Sequence, residues 1–449
     1  MKRNTNSIIP DGRSREPQRV VAIGLITQET DAESCDASLS ELKRLIDTAG
    51  GITVAELVQQ RPSPDPRTVL GSGKTEELSE LCSKCGADTA VFDLELTPSQ
   101  IKNIENGLNG VEVIDRSMLI LDIFAGRAVT SDGKLQVELA QLKYTAPRLT
   151  GKGKDLSRLG GGIGTRGPGE TKLETDRRHL QRRIRHLEEE LRTVETKRQT
   201  IRNSRKRTGI PVAAIVGYTN AGKSTLMNAL TDAGILAEDK LFATLDPTTR
   251  RFTLPDGRGI LITDTVGFIR GLPHHLIKAF RSTLNEAASA DILIVMIDSS
   301  SENMAEELET TEKTLSELGT SERRRIYVLN KCDLRRTSDI SPSLLSDPDT
   351  VMISAKTGEG FGALTEKICE ALDSFGVMTV FRIPAERQDV VNRIYEKTAV
   401  KDAEYEDGYA LITAVADEAA LSLFREFRYR PEIPAEAGDD GDGNGEGHE

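Results

Sequence analysis

The stretch Gly217-Tyr218-Thr219-Asn220-Ala221-Gly222-Lys223-Ser224 decides how the rest of the chain is read. The apolar run from Pro211 to Val216 precedes it, and the helix-forming Thr225-Leu226-Met227-Asn228-Ala229-Leu230 follows. Strand, glycine loop and helix in that order match G-x-x-x-x-G-K-[ST] without a gap. The glycines let backbone N–H groups close around phosphate oxygens, and the helix N-terminus adds partial positive charge. Lys223 is placed to neutralise β- and γ-phosphates, and the Ser224 hydroxyl to bind Mg²⁺.

Working outward, three more short motifs follow in order. Asp264-Thr265-Val266-Gly267 ends a strand at Ile260 to Thr263. There Asp264 is expected to hold Mg²⁺ through water, and the Gly267 N–H to read a γ-phosphate. Asn330-Lys331-Cys332-Asp333 ends a strand at Ile326 to Leu329. An aspartate there accepts hydrogen bonds from guanine N1–H and its 2-amino group, donors that adenine lacks. Ser354-Ala355-Lys356 follows Val351-Met352-Ile353, and puts the Ala355 N–H within reach of guanine O6. Each motif is weak alone. Ordered, and each at a strand end where α/β sheets bind ligands, they point to GTP and GDP over adenine nucleotides.

The chain has 449 residues, 37% hydrophobic and 29% charged, which suits a soluble multidomain protein. No apolar run reaches the length of a membrane span, and Met1-Lys2-Arg3-Asn4 lacks the apolar core of a signal peptide. A cytoplasmic location is expected. Cys35, Cys82, Cys85, Cys332 and Cys369 are scattered and odd in number, which fits reduced thiols. Cys82 and Cys85 form a lone C-x-x-C with no second pair, so incidental placement on a helix is the simpler reading.

The net charge is −12, which taken alone argues against a nucleic-acid partner. Its distribution argues the other way. Residues 143–207 carry 19 Lys/Arg against 8 Asp/Glu, a net of +11. Within them Leu173, Leu180, Ile184, Leu187, Leu191, Val194 and Ile201 form an a/d seam. Leu135, Leu139 and Leu142 share one face of a preceding helix. The spacing predicts a basic helical hairpin over 133–209, with a glycine-rich loop from Gly151 to Gly169. A solvated coiled-coil face is the plain alternative. The one-signed charge favours a polyanion read by shape and phosphate contacts.

Before the hairpin, strands at 20–26, 52–58, 89–92 and 111–114 alternate with helices, predicting an α/β domain over 19–132. Gly71-Ser72-Gly73-Lys74-Thr75 imitates a phosphate loop, but Thr68 stands where its first glycine belongs. A turn capping the next helix is the simpler reading, with binding of a second nucleotide left open. The nucleotide domain is expected over 210–375, mostly parallel with helices on both faces, and a small α/β module over 376–431. Residues 1–18 and the acidic 432–449 read as disordered tails.

With Phe242-Ala243-Thr244-Leu245-Asp246-Pro247-Thr248, Phe268-Ile269 and the insert Gly164 to Arg178 added to these motifs, the chain resembles the HflX family of P-loop GTPases over about 19–430. The insert is the most specific part. The resemblance implies a ribosome-associated GTPase on the large subunit that splits or rescues ribosomes under stress. The helical insert would reach rRNA, and a monomer is expected. It implies Thr244 as the second protein ligand of Mg²⁺ beside Ser224, although Thr248 and Thr249 lie near enough that spacing does not choose. A GTP-switched RNA-binding scaffold, in which hydrolysis is incidental, is the rival reading.

Many GTPases carry glutamine directly after D-x-x-G to orient the attacking water. Phe268 stands there, so slow intrinsic turnover that needs a partner is expected. Asn220 resembles the loop asparagine of potassium-activated relatives, so K⁺ beside it would add positive charge in the transition state. Turnover is then expected to be faster in potassium than in sodium buffers. Equal rates would remove that role.

Overall fold

The computed structural model describes residues 17–147, 168–208, 210–231, 240–271, 281–334 and 340–429. Both tails and most of the glycine-rich loop lie outside the described residues. The chain divides into two compact units, one ending at Ala371 and the other formed by Pro255–Arg258 with the chain from Leu372.

The first unit opens with β1 (Arg19–Ile26), α1 (Ala32–Thr48), β2 (Ile52–Gln60), α2 (Ser72–Cys85), β3 (Thr89–Phe92), α3 (Pro98–Gly107) and β4 (Glu112–Asp115). The four strands are all parallel, in the order β2-β1-β3-β4. Parallel sheets are covered on both faces, which is why Val20 to Ile23 are apolar without alternation and wholly buried. Leu39, Leu42, Leu45 and Ile46 of α1 pack on one face. Leu78, Cys82 and Ile104 of α2 and α3 pack on the other. Cys82 is thus core, and burial pushes its thiol up to about 11. The false phosphate loop is the start of α2: Gly71 is its N-cap, and Lys74 pairs with Glu77 at 2.8 Å.

Two helices follow, α4 (Arg116–Arg127) and α5 (Ser131–Thr145). The first carries no periodic signal in the sequence. Its residues Arg116 to Phe124 are buried on all sides, so it shows no amphipathic stripe. Then comes α6 (Pro168–Thr208), 41 residues long. It pairs with α5 through Asp132–Arg198 near one end and Glu138–Arg183 and Lys143–Glu188 toward the other. The expected seam is covered unevenly. Leu187 is fully buried, while Leu180, Ile184, Leu191 and Val194 are half-buried. Length explains this: at 1.5 Å per residue α5 spans about 22 Å against about 60 Å for α6.

The second sheet is built from β5 (Val212–Gly217), α7 (Lys223–Thr231), β6 (Thr248–Thr253), β7 (Gly259–Asp264), α8 (Arg281–Ser289), β8 (Ile292–Asp298), α9 (Met304–Glu317), β9 (Arg324–Asn330), α10 (Pro342–Leu345), β10 (Thr350–Met352) and α11 (Phe361–Asp373). Its order is β10-β9-β8-β5-β7-β6, parallel except for the edge strand β6. The C-terminal ends of β5, β7, β9 and β10 therefore converge, where ligands bind such sheets.

The second unit holds β11 (Val377–Pro384), α12 (Gln388–Lys397), β12 (Ala399–Glu406), β13 (Tyr409–Ala416), α13 (Glu418–Leu423) and the short β14 (Arg428–Tyr429). Its antiparallel sheet runs β12-β13-β11-β14 and buries Phe381, Ile383 and Ile412 against Ile394 and Phe424. No apolar run marks β12 in the sequence, because Lys401, Asp402, Glu404 and Glu406 are exposed on an edge strand, where charge is common.

Candidate active site: a phosphate cleft at the ends of four strands

The loop after β5 folds as it does because two of its glycines are obligatory. Gly217 has φ 145°, and a Cβ there would lie 2.3 Å from the Met296 carbonyl oxygen. Gly222 has φ 96°, and its Cβ would lie 2.1 Å from Asn330 Nδ2. Asn220 has φ 63°, a conformation asparagine tolerates better than most residues. Lys223 opens α7 and is buried; its Nζ donates to the carbonyls of Gly217 at 3.1 Å and Tyr218 at 2.6 Å. Burial pulls its ammonium down to about 8, and the nearby Asp264 carboxylate works against that shift. The lysine is held by neutral backbone acceptors.

Ser224, Thr244 and Asp264 meet beside it. Ser224 Oγ lies 2.7 Å from Thr244 Oγ1 and 2.8 Å from Asp264 Oδ2, and Thr244 Oγ1 donates to the same carboxylate oxygen at 3.0 Å. Thr248 and Thr249 belong to β6, and the Thr249 hydroxyl pairs with that of Thr263 at 2.9 Å. Thr244 is therefore the switch-loop threonine that reaches Ser224. Asp264 is fully buried, its Oδ1 has no partner, and burial holds its carboxyl above the usual range. Clustered hard oxygens with an orphaned carboxylate oxygen fit an Mg²⁺ ion, which takes oxygen ligands.

The segments after β9 and β10 are tied to this loop. The buried Asn330 donates from Nδ2 to the Ala221 carbonyl at 2.8 Å and accepts from the Ala355 N–H at 2.8 Å. Lys331 has φ 64° and pairs with Asp298 at 2.6 Å. The Cys332 N–H donates to the Ile353 carbonyl at 3.2 Å, and Ser354 is fully buried. Asp333 and Lys356 are exposed.

The cleft is lined by Thr219, Asn220, Gly222, Lys223, Ser224, Phe242, Ala243, Thr244, Thr265 and Gly267. Lys240 and Thr225 also line it, and the motifs did not single them out. The only signal for Lys240 was a cation four residues before Thr244. Gly267 has no room for a side chain: a Cβ would lie 2.8 Å from Thr219 Cγ2 and 2.9 Å from Lys223 Nζ. Phe268 is 1% exposed and packs with Val216 and Leu284. Its N–H donates to the Gly217 carbonyl at 3.0 Å, and its own carbonyl accepts from the Thr219 N–H at 2.7 Å. It is a core residue.

Other candidates face the N-terminal sheet. Phe242, Leu245 and Val266 join the core cluster of α1 and α4. The Phe242 ring packs edge-on to Phe124 at 4.7 Å. The Asp246 carboxylate accepts from the N–H groups of Val129 and Thr130. Tyr218 is drawn the same way: its hydroxyl donates to Glu41 at 2.5 Å and accepts from the Arg270 N–H at 2.7 Å. Glu41 also pairs with the buried Arg116, which reaches Asp93 at 2.6 Å and the Arg270 carbonyl at 3.0 Å. Burial, and then Glu41, push the Tyr218 phenol well above its ordinary value. These ties are long-range in sequence, and no local motif announces them.

Four family models match in succession. They are the GTP-binding GTPase N-terminal region at 36–125, the GTP-binding GTPase middle region at 127–205, the 50S ribosome-binding GTPase at 212–331 and the HflX C-terminal domain at 342–436. A GTPase HflX of Lacrimispora saccharolytica is 52% identical over 77% of this chain and 81% of its own length. That of Caldanaerobacter subterraneus is 48% identical over 88% and 90%. That of Escherichia coli is 41% identical over 87% and 91%. With the phosphate loop, the Asn330 anchor and the Ser224–Thr244–Asp264 cluster in place, the chain belongs to the HflX family of GTPases, which bind and hydrolyse GTP.

Proposed function

We propose that this GTPase works on the large ribosomal subunit, with GTP in the cleft and α6 against rRNA. The observation that carries the reading is the outer face of α6. Arg177, Arg182, Arg185, Arg192 and Lys197 are all exposed there, while Glu138 and Asp132 of α5 meet other cations on its covered side. A basic face on a net acidic chain is the footprint of a polyanion partner. The matched model named for 50S ribosome binding agrees with that partner. Splitting or rescue of stalled ribosomes is the family-level role we assign.

In the cleft, Gly217 to Ser224 would wrap the β-phosphate, and Lys223 would bridge β and γ. Ser224 and Thr244 would hold Mg²⁺ with Asp264 behind them, and the ion would supply positive charge to the phosphate oxygens. Asp333 would accept from guanine N1–H and the 2-amino group, and the Ala355 N–H would lie near O6. Gly267 N–H would read the γ-phosphate. The core position of Phe268 leaves that side chain unable to orient water, so we assign water placement to a group supplied on the ribosome.

Two expected outcomes test this. Lys223 must be charged to hold phosphate, and nucleotide raises its proton affinity. Below pH 8 the free protein already carries the proton; above it, binding must take one up. GTP affinity should fall as pH rises from 8 to 9, by up to about tenfold. Lys223→Ala should abolish hydrolysis and remove that slope, whereas a flat profile in the parent protein would contradict the role. The second test is co-sedimentation with large subunits in a non-hydrolysable GTP analogue, alongside single-turnover hydrolysis. Full-length chain should pellet and be stimulated, and a variant lacking 150–208 should do neither. Equal binding by the deletion would refute the arm's role. Binding without stimulation would favour a GTP-switched scaffold.

A further inference from the structure

The loop between α7 and β6 is pinned on both sides of Thr244. Two residues before it, Phe242 is 2% exposed and sits at φ 54°, a strained conformation for an aromatic residue. Its ring lies against Phe124 of α4. Two residues after it, Asp246 caps a helix of another sheet's domain. One carboxylate oxygen accepts from the Val129 N–H at 3.0 Å and the Thr130 N–H at 2.8 Å. The other accepts from the Thr130 hydroxyl at 2.5 Å. Thr130 is in turn the N-cap of α5, its Oγ1 accepting from the Gly133 N–H at 3.0 Å. The fit is closed: a Cβ on Gly133 would lie 2.4 Å from Asp246 Oδ1.

We propose that Thr130 is a positioning residue for GTP hydrolysis, holding Asp246 so that Thr244 stays against Ser224 and Asp264. It acts on the cleft from outside the nucleotide domain. The physical basis is reach. Thr244 is a short side chain on a loop, and its hydroxyl meets Ser224 only if the backbone is fixed within a fraction of an ångström. A carboxylate taking two backbone N–H bonds and one hydroxyl bond at a helix N-terminus gives a directional, charge-assisted anchor. The coupling is reciprocal, as binding linkage requires. A nucleotide that draws Thr244 in also seats Asp246 on Thr130 at the α5 N-terminus, two residues from the Asp132–Arg198 pair with the basic helix. The proposal rests on the reading of Thr244 as a residue that serves the γ-phosphate end of the site.

The test uses the full chain and three variants at this contact. Thr130→Val removes the hydroxyl bond. Thr130→Ser keeps it. Gly133→Ala drives a methyl into Asp246 while placing a better helix former in α5, so a loss there is not a loss of helix. Thr130→Val and Gly133→Ala should lower kcat for GTP by about fivefold or more, with GDP affinity unchanged. Thr130→Ser should restore the parent rate. Wild-type kcat in both disrupting variants would overturn the proposal, as would a parallel fall in GDP affinity, which marks general support of the cleft. Thr244→Val separates the two layers. If it leaves turnover unchanged, the reading of Thr244 itself fails; if it lowers turnover while Thr130→Val does not, only the coupling fails.

Discussion

Asn330 holds the site together. Its amide joins the phosphate loop at Ala221 to the base loop at Ala355 by two hydrogen bonds of 2.8 Å. Both are buried, and a buried amide left without partners would cost about 1–3 kcal/mol per unpaired group. That contact is possible only because Gly222 has no Cβ, since one would lie 2.1 Å from the amide nitrogen. One side chain thus sets the span between the Gly217–Ser224 loop and the Ser354–Lys356 loop. The rest of the cleft, from Lys223 to Thr244, is placed relative to that span.

The second constraint is that the nucleotide domain does not stand alone. Tyr218 of the phosphate loop, Phe242 and Asp246 of the switch loop, and Arg270 beyond Gly267 all make contacts to the N-terminal α/β sheet or its helices. The Arg116–Glu41–Asp93 cluster is buried, and such a cluster tolerates loss of one member poorly because a bare charge remains. Its use is therefore better read as specificity of docking than as a source of stability. These contacts, three polar and one aromatic, join the nucleotide domain to the N-terminal part and to the start of α5.

Much of this was legible in the sequence. Strand, loop and helix around Lys223, and the strand ends at Asp264, Asn330 and Ser354, were readable because each motif is local and its chemistry fixes its spacing. The N-terminal α/β domain showed in the alternation of strand-like runs with helices, although the parallel order of its strands did not. What was not legible is non-local or lacks contrast. Helix α4 is buried all round, Arg116 and Asp122 included, so no period marks it, and β12 is charged, so no apolar run marks it. The seam of α6 called for an antiparallel partner in the preceding helix, but the length of α5 set how much of it is covered. Asp246 sat in a motif that placed it at the nucleotide, yet its carboxylate serves the N-terminus of α5. Nothing near it in sequence names Thr130, 116 residues away.

We propose that the loops joined by Asn330 recognise a guanine base and its phosphates as one unit. Calorimetric titration of the full chain with GDP and with ADP, in one magnesium buffer, tests it most directly. The polar contacts available at Asp333 and Ala355 lead us to expect GDP to bind at least about a hundredfold more tightly. Equal affinities for the two nucleotides would contradict it.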